Sequence, residues 1–304
     1  MENLQLIPPT PMFGGPPFPN SEELPEGAIS VKWEDKPSGA MLDFKPNVVY
    51  QSLGGEEQHV QVLMPASMFA FPGAPKPKYP LIAYVPGSAW MRQNVMASLP
   101  RMIQVAQAGY VVAIIEYRPT DIGAAFPAQV EDAEAAIRFV LEHAEEYGVD
   151  TSRVAVWGDS SGGHTAISVG IRGNVHVSVV ADWYAPTEIA VMNYYPSGQD
   201  HIGADSPEGR LIGNKNVLEN PELAAATSPL NWLSADKPTP PILIMHGSAD
   251  NIVPFNQSVR LYEKLRELGK ETTFYKVEGG GHGSGGFGSD ECLKVTLDYI
   301  AAHI

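Results

Sequence analysis

Three short segments carry side chains that together could split an ester or an amide. Ser160 lies in Gly158-Asp159-Ser160-Ser161-Gly162, Asp250 closes His246-Gly247-Ser248-Ala249-Asp250, and His282 sits in Gly279-Gly280-Gly281-His282-Gly283. A serine hydroxyl is a poor nucleophile at neutral pH and needs a base within hydrogen-bond reach. Imidazole suits that role, since it takes the serine proton and later gives it to the leaving group. A carboxylate on its other nitrogen fixes the tautomer and stabilises the imidazolium. Attack on a carbonyl places negative charge on its oxygen, and each donor preset for that charge is worth roughly 10²–10³-fold in rate. The N–H of Ser161, directly after the nucleophile, is one expected donor. The second is expected from Pro86-Gly87-Ser88-Ala89-Trp90, where only proline lacks an N–H, so that Ser88 and Ala89 are both candidates. Gly87 is a candidate substrate contact, and Trp90 and Trp183 either contact substrate as well or fill the core.

Each segment needs an element to position it. The serine follows the apolar run Val154-Ala155-Val156-Trp157 and precedes a stretch of small residues, so it reads as a sharp strand-to-helix turn. Glycines two positions to either side remove β-carbons that would collide there. The acid follows Ile242-Leu243-Ile244-Met245, and the histidine follows Thr273-Phe274-Tyr275-Lys276-Val277. Further strand-like runs are Val60–Met64, Leu81–Val85 and Val111–Ile115, the later ones apolar throughout, as in parallel strands covered on both faces. Between and after them, apolar residues recur at helical spacing from Pro127 to Gly148, at Leu261, Leu265 and Leu268, and at Leu293, Leu297, Ile300 and Ile304. This alternation predicts an α/β fold with a mostly parallel, doubly wound sheet. The order nucleophile, acid, histidine is that of the α/β-hydrolase fold. Residues from about 183 to 239 break the alternation and predict a small cap-like insertion in a catalytic domain of residues 46–304. Residues 1–45 are rich in proline and glycine and predict an extended arm, which could rim the site or mediate homo-oligomerisation through Met12, Phe13 and Phe18.

Composition bounds the partners. The formal net charge of -15 argues against sequence-independent nucleic-acid binding, which needs clustered lysine and arginine. Cys292 is the single cysteine, so no intrachain disulfide forms. The first residues lack the basic and apolar regions of a signal peptide, and no run approaches the ~20 apolar residues of a membrane helix. A cytoplasmic protein without membrane attachment is expected. The histidines lack paired ligand spacing, so neither a metal nor any other cofactor is expected.

The segments Tyr84 to Trp90, Glu116-Tyr117-Arg118, Pro127 to Asp132, Gly158 to His164, Ser206-Pro207-Glu208, His246 to Pro254 and Gly281-His282-Gly283 resemble the bacterial carboxylesterases of the α/β-hydrolase superfamily. The chain is most similar to feruloyl-esterase-like and acetylxylan-esterase-like enzymes, relatives of the hormone-sensitive-lipase group. It departs from them at the oxyanion turn, where Pro86, Ser88 and Ala89 replace a histidine and two glycines of a His-Gly-Gly-Gly type motif. The resemblance implies structural roles for Arg118 and Asp132, and His164 reads as packed rather than catalytic. The expected activity is a serine carboxylesterase removing a short acyl group, acetyl above all, from a small molecule or an oligosaccharide derived from hemicellulose. Side chains at positions 88 and 89 narrow the space beside the carbonyl and favour a small acyl group. Two other readings compete: a peptidase related to prolyl oligopeptidases, which usually carry a large extra domain, and a non-catalytic binding protein, which normally lacks a triad member.

Overall fold

The computed structural model describes residues 41–66 and 77–304. Its strands are β1 (Met41–Leu53), β2 (Glu56–Ala66), β3 (Tyr79–Val85), β4 (Val111–Ile115), β5 (Val149–Asp159), β6 (Val179–Trp183), β7 (Ile242–Gly247) and β8 (Thr272–Val277). The helices are α1 (Val95–Gln107), α2 (Ala128–Glu142), α3 (Ala144–Tyr147), α4 (Ser161–Arg172), α5 (Pro207–Leu211), α6 (Pro221–Thr227), α7 (Asn256–Glu267) and α8 (Asp290–His303). The strands form one sheet in the order β1-β2-β4-β3-β5-β6-β7-β8. Pairing is antiparallel from β1 through β2 to β4 and parallel everywhere else. This is the α/β-hydrolase arrangement that the alternation of elements implies.

The apolar runs are continuous because both faces of the sheet are covered. Along β3, Leu81, Ala83 and Val85 point into a core with α2, α4 and α7, whereas Ile82 and Tyr84 point to the opposite core with α1 and α8. Along β5, Val154 and Val156 divide from Ala155 and Trp157 in the same way. Each leucine, isoleucine or valine among them, fully withdrawn from water, contributes about 1.5–3 kcal/mol before conformational entropy is counted. The central strands are thereby fixed in register, and their C-terminal ends become a rigid platform.

Two local expectations change. The helical pattern from Pro127 to Gly148 is two helices, since α2 stops at Glu142, His143 caps it, and α3 adds one turn before Gly148 takes a left-handed conformation. The expected arm boundary at residue 45 falls inside β1. Residues 1–40, with Met12, Phe13 and Phe18 and the oligomer contact expected of them, lie outside the described residues. The segment between β6 and β7 folds as short helical pieces with an apolar cluster of its own, in which Ile189, Met192, Leu211, Val217 and Ala224 pack around Trp90 and Val253. Among the described residues, no helix is long and apolar enough to cross a membrane.

Candidate active site

Ser160 is the single residue between β5 and α4, and its backbone sits at φ 53° and ψ -127°. A non-glycine residue there costs of order 1–3 kcal/mol and persists only where its surroundings impose it. Packing imposes it here. A β-carbon on Gly158 would lie 2.2 Å from the Gly162 carbonyl oxygen, and one on Gly162 would lie 2.0 Å from that of Val85. The Ser160 N–H donates to the Trp183 carbonyl at 2.8 Å, and the Ser160 carbonyl accepts from His164 at 3.1 Å. The hydroxyl is therefore held at the C-terminal edge of the sheet.

His282 meets Ser160 there. Its Nε2 lies 2.9 Å from Ser160 Oγ and its Nδ1 lies 2.8 Å from Asp250 Oδ2. With Nδ1–H donating to the carboxylate, Nε2 is free to accept the serine proton. Asp250 is anchored further by the N–H groups of Ile252 and Val253, which donate to Oδ1 at 2.9 and 3.0 Å. Burial alone would raise the carboxyl pKa, but the hydrogen bonds from His246 and His282, the His282 charge and the Ile252 N–H outweigh it and hold it well below the usual carboxylate range. Glycine lets the two loops approach, since a β-carbon on Gly247 would lie 2.2 Å from the Gly280 carbonyl oxygen.

The turn after β3 runs beside Ser160. Ser88 N–H donates to Ser161 Oγ at 2.9 Å, Gly87 N–H donates to Asp159 Oδ1 at 3.1 Å, and Ala89 and Trp90 take φ values of 54° and 55°. The N–H of Ser161, at the first position of α4, belongs to the helix end whose amides lack intrahelical partners. These groups open on a cavity of about 690 Å³ lined by Gly87, Ser88, Ala89, Ser160 and His282, by Asn94 just before α1, by Ser98, Arg101 and Gln104 from α1, and by Gln199 and Ile252. Its size suits a small organic ligand.

Gly87 lies in that wall, but Trp90 and Trp183 do not, which corrects the expectation that they contact substrate. Both are core residues at 1% and 0% exposure. Trp90 Nε1–H donates to His164 Nδ1 at 3.2 Å, and Trp183 Nε1–H donates to Thr296 Oγ1 at 3.0 Å, with the Arg101 guanidinium stacked over its ring. An indole satisfied on buried partners has no donor left for a ligand. His164 is packed as expected. Its Nε2–H donates to the Thr227 carbonyl at 2.8 Å, and burial lowers its pKa to about 4. Arg118 and Asp132 form a two-pronged ion pair, with Nη2 2.8 Å from Oδ1 and Nε 2.9 Å from Oδ2, away from the cavity. Among the described residues, no cluster of three His, Cys, Asp or Glu side chains could hold a metal.

Sequence reasoning missed three supporting groups. His246 is fully buried, places Nε2 3.2 Å from Asp250 Oδ2 and accepts from the Ser258 hydroxyl at 2.7 Å. Its spacing four residues before the acid was the available signal. Tyr184, at φ 45°, packs its ring 4.8 Å from that of His282. Asp182 is buried beneath the turn, where its Oδ1 accepts from Ala185 N–H at 3.1 Å, and burial raises its pKa well above the carboxylate range. Neither of these last two is marked by any motif.

The solved structure of a truncated carbohydrate esterase from gut microbiota is 31% identical, with a TM-score of 0.74 over 90% of this chain and 99% of that one. A bifunctional GH43-CE protein of Bacteroides eggerthii is 28% identical, with a TM-score of 0.71 over 86% of this chain and 38% of that one. Esterase LipQ of Mycobacterium tuberculosis is 26% identical over 210 residues, which are 66% of this chain and 49% of that protein. The chain spans about half the length of the curated relatives it matches. The profile of the BD-FAE family matches residues 69–265, more than half of the sequence. With Ser160, Asp250 and His282 brought together beyond the ends of β5, β7 and β8 and the profile covering more than half of its sequence, the chain belongs to the BD-FAE family.

Proposed function

We propose that this protein is a serine carboxylesterase that removes short acyl groups, acetyl above all, from carbohydrate esters such as hemicellulose-derived oligosaccharides. One observation carries the reading: Ser160 Oγ, His282 and Asp250 form an unbroken hydrogen-bonded chain, at 2.9 Å and 2.8 Å, opening on a cavity. In the proposed reaction Ser160 Oγ attacks the ester carbonyl as its proton passes to His282 Nε2, and Asp250 stabilises the imidazolium. The tetrahedral oxyanion is met by the N–H of Ser161 and by an amide of the turn carrying Ser88 and Ala89. Collapse expels the alcohol, which takes the proton from His282. Water, deprotonated by the same imidazole, then releases the acid from the acyl-serine.

A carbohydrate alcohol is supported by the cavity wall, in which Asn94, Ser98, Arg101, Gln104 and Gln199 offer amide, hydroxyl and guanidinium groups. The gut-microbial structural relative is itself described as a carbohydrate esterase. A small acyl group is supported by the side chains of Ser88 and Ala89 beside the nucleophile. The decisive assay is acetate release from acetylated oligosaccharides by wild-type protein and Ser160→Ala, which should lose at least about 10⁴-fold in kcat while keeping its fold. Across acetyl, butyryl, octanoyl and feruloyl esters, kcat/KM should peak at acetyl. A peak at octanoyl would reject the small acyl pocket, and cleavage of aminoacyl anilides in preference to esters would reject the esterase reading.

A further inference from the structure

The three amides after Pro86 are not equivalent. Gly87 N–H is taken by Asp159 Oδ1 at 3.1 Å and Ser88 N–H by Ser161 Oγ at 2.9 Å. The residues on either side of the nucleophile thus each accept one amide of the turn through a side chain. Ala89 N–H has no partner among the described residues, and Ala89 lines the cavity beside Ser160. Ser161 is 1% exposed, so its hydroxyl is not a substrate contact.

The same hydroxyl belongs to a small buried network. Ser88 O–H donates to the Met91 carbonyl at 2.6 Å, which leaves Ser88 Oγ to accept from the Tyr117 hydroxyl at 3.0 Å. Tyr117 Oη also lies 3.5 Å from Ser161 Oγ. Downstream of these contacts the backbone enters left-handed φ at two consecutive non-glycine residues, Ala89 at 54° and Trp90 at 55°. Such a conformation lasts only where neighbouring groups over-determine it. The bond from Ser88 N–H to Ser161 Oγ is one of the contacts that do so, beside those from Met91 N–H to the Ser88 carbonyl at 3.0 Å and from Thr120 N–H to the Trp90 carbonyl at 2.9 Å.

We propose that Ser161 is a positioning residue as well as a backbone donor: its hydroxyl ties down the Ser88 amide and thereby makes Ala89 N–H the second oxyanion donor. The inference rests on the reading of Ser160 as nucleophile. Removing the Ser161 hydroxyl frees the Ser88 amide, loosens the strained turn and displaces the Ala89 donor from the oxygen that becomes charged. Because that interaction strengthens only as charge develops, the loss falls on kcat rather than KM.

The experiment compares wild-type protein, Ser161→Ala and Ser160→Ala in three measurements: steady-state hydrolysis of a chromogenic acetyl ester, inhibition by a trifluoromethyl ketone whose adduct on serine carries the same oxyanion, and thermal melting. Ser161→Ala deletes one buried hydroxyl and should melt within a few degrees of wild type. Its kcat should fall about tenfold, less than the loss of a whole donor. KM should stay within about twofold, and ketone affinity should weaken by the same factor as kcat. Unchanged or increased kcat in Ser161→Ala overturns the positioning role, an increase meaning that the freed Ser88 amide is the better donor. A raised KM at constant kcat, or a lowered kcat with undiminished ketone affinity, overturns it as well. Hydrolysis surviving in Ser160→Ala overturns the nucleophile itself, a failure distinguishable from the others because it appears in a different variant.

Discussion

At the scale of single residues, Asp250 does more than hold one imidazole. Its carboxylate accepts from His282 at 2.8 Å, from two backbone N–H groups at 2.9 and 3.0 Å, and lies 3.2 Å from His246 Nε2. The first contact sets the tautomer of the proposed base, and the others set the position of the acid. Asp250→Asn should therefore lower kcat by roughly 10³–10⁴-fold, since an amide no longer compels Nδ1 to carry the proton. His246→Gln should cost only about tenfold, because Asp250 keeps His282 and both amides. A comparison of kcat in the two variants decides: equal losses would mean that His246 shares the catalytic proton. The three side chains of the proposed reaction, which the structure brings into contact, were picked out in the sequence because that chemistry demands particular residue types at the ends of apolar runs. Tyr184 and the Ser161 hydroxyl were not legible. Their roles depend on a ring meeting His282 and on an amide arriving from the turn after β3, and no local pattern records either approach.

At the scale of elements, the β5 to α4 junction is where packing and chemistry meet. Gly162 passes so close to the end of β3 that a β-carbon would lie 2.0 Å from the Val85 oxygen and 2.8 Å from the Pro86 carbonyl carbon, both backbone atoms without a rotamer to yield. Gly162→Ala must shift α4 or β3. The expected cost is about 3 kcal/mol or more, a drop of roughly 6–12 °C in melting temperature, with loss of activity beyond what unfolding explains. A melt matching wild type would mean that the elbow is looser than drawn. The apolar runs of β2, β3, β4, β5, β7 and β8 and the helical spacing of α2, α7 and α8 were readable, whereas the inner strand β6 and the helix α1 were not picked out. β1 was not, because it is an edge strand with Pro46, irregular pairing register and only Tyr50 buried, so its pattern resembles a polar arm. The break after α2 was hidden because Ala144 and Tyr147 continue the apolar face across it.

At the scale of the whole molecule, buried histidines make stability depend on pH in opposing ways. His201 lies in the segment between β6 and β7, with Nδ1 3.0 Å from Glu208 Oε1 and Nε2 3.1 Å from the Ile252 carbonyl oxygen. Burial alone would lower its pKa, but Glu208 and the Ile252 carbonyl raise it, so its contribution is complete below the unfolded value of 6.5 and is lost as pH rises through the folded one. His164 acts the other way. It joins α4 to Trp90 in the turn after β3 and to Thr227 at the end of α6, and it is held neutral by burial. Its folded pKa of about 4 lies below the 6.5 of a free imidazole, so between those values the unfolded chain binds more protons. Stability is therefore present above about pH 6.5 and falls as pH drops toward 4, by up to about 3 kcal/mol for a shift of this size. His164→Gln removes that proton uptake whatever it costs in packing. Its deficit relative to wild type, taken from urea unfolding, should be largest near pH 7 and should shrink by about 2–3 kcal/mol near pH 4.5, with His201 cancelling because both proteins carry it. A deficit that stays constant across that range would show that His164 is not the proton acceptor that limits stability in acid, and that the link among α4, the turn after β3 and α6 does not titrate.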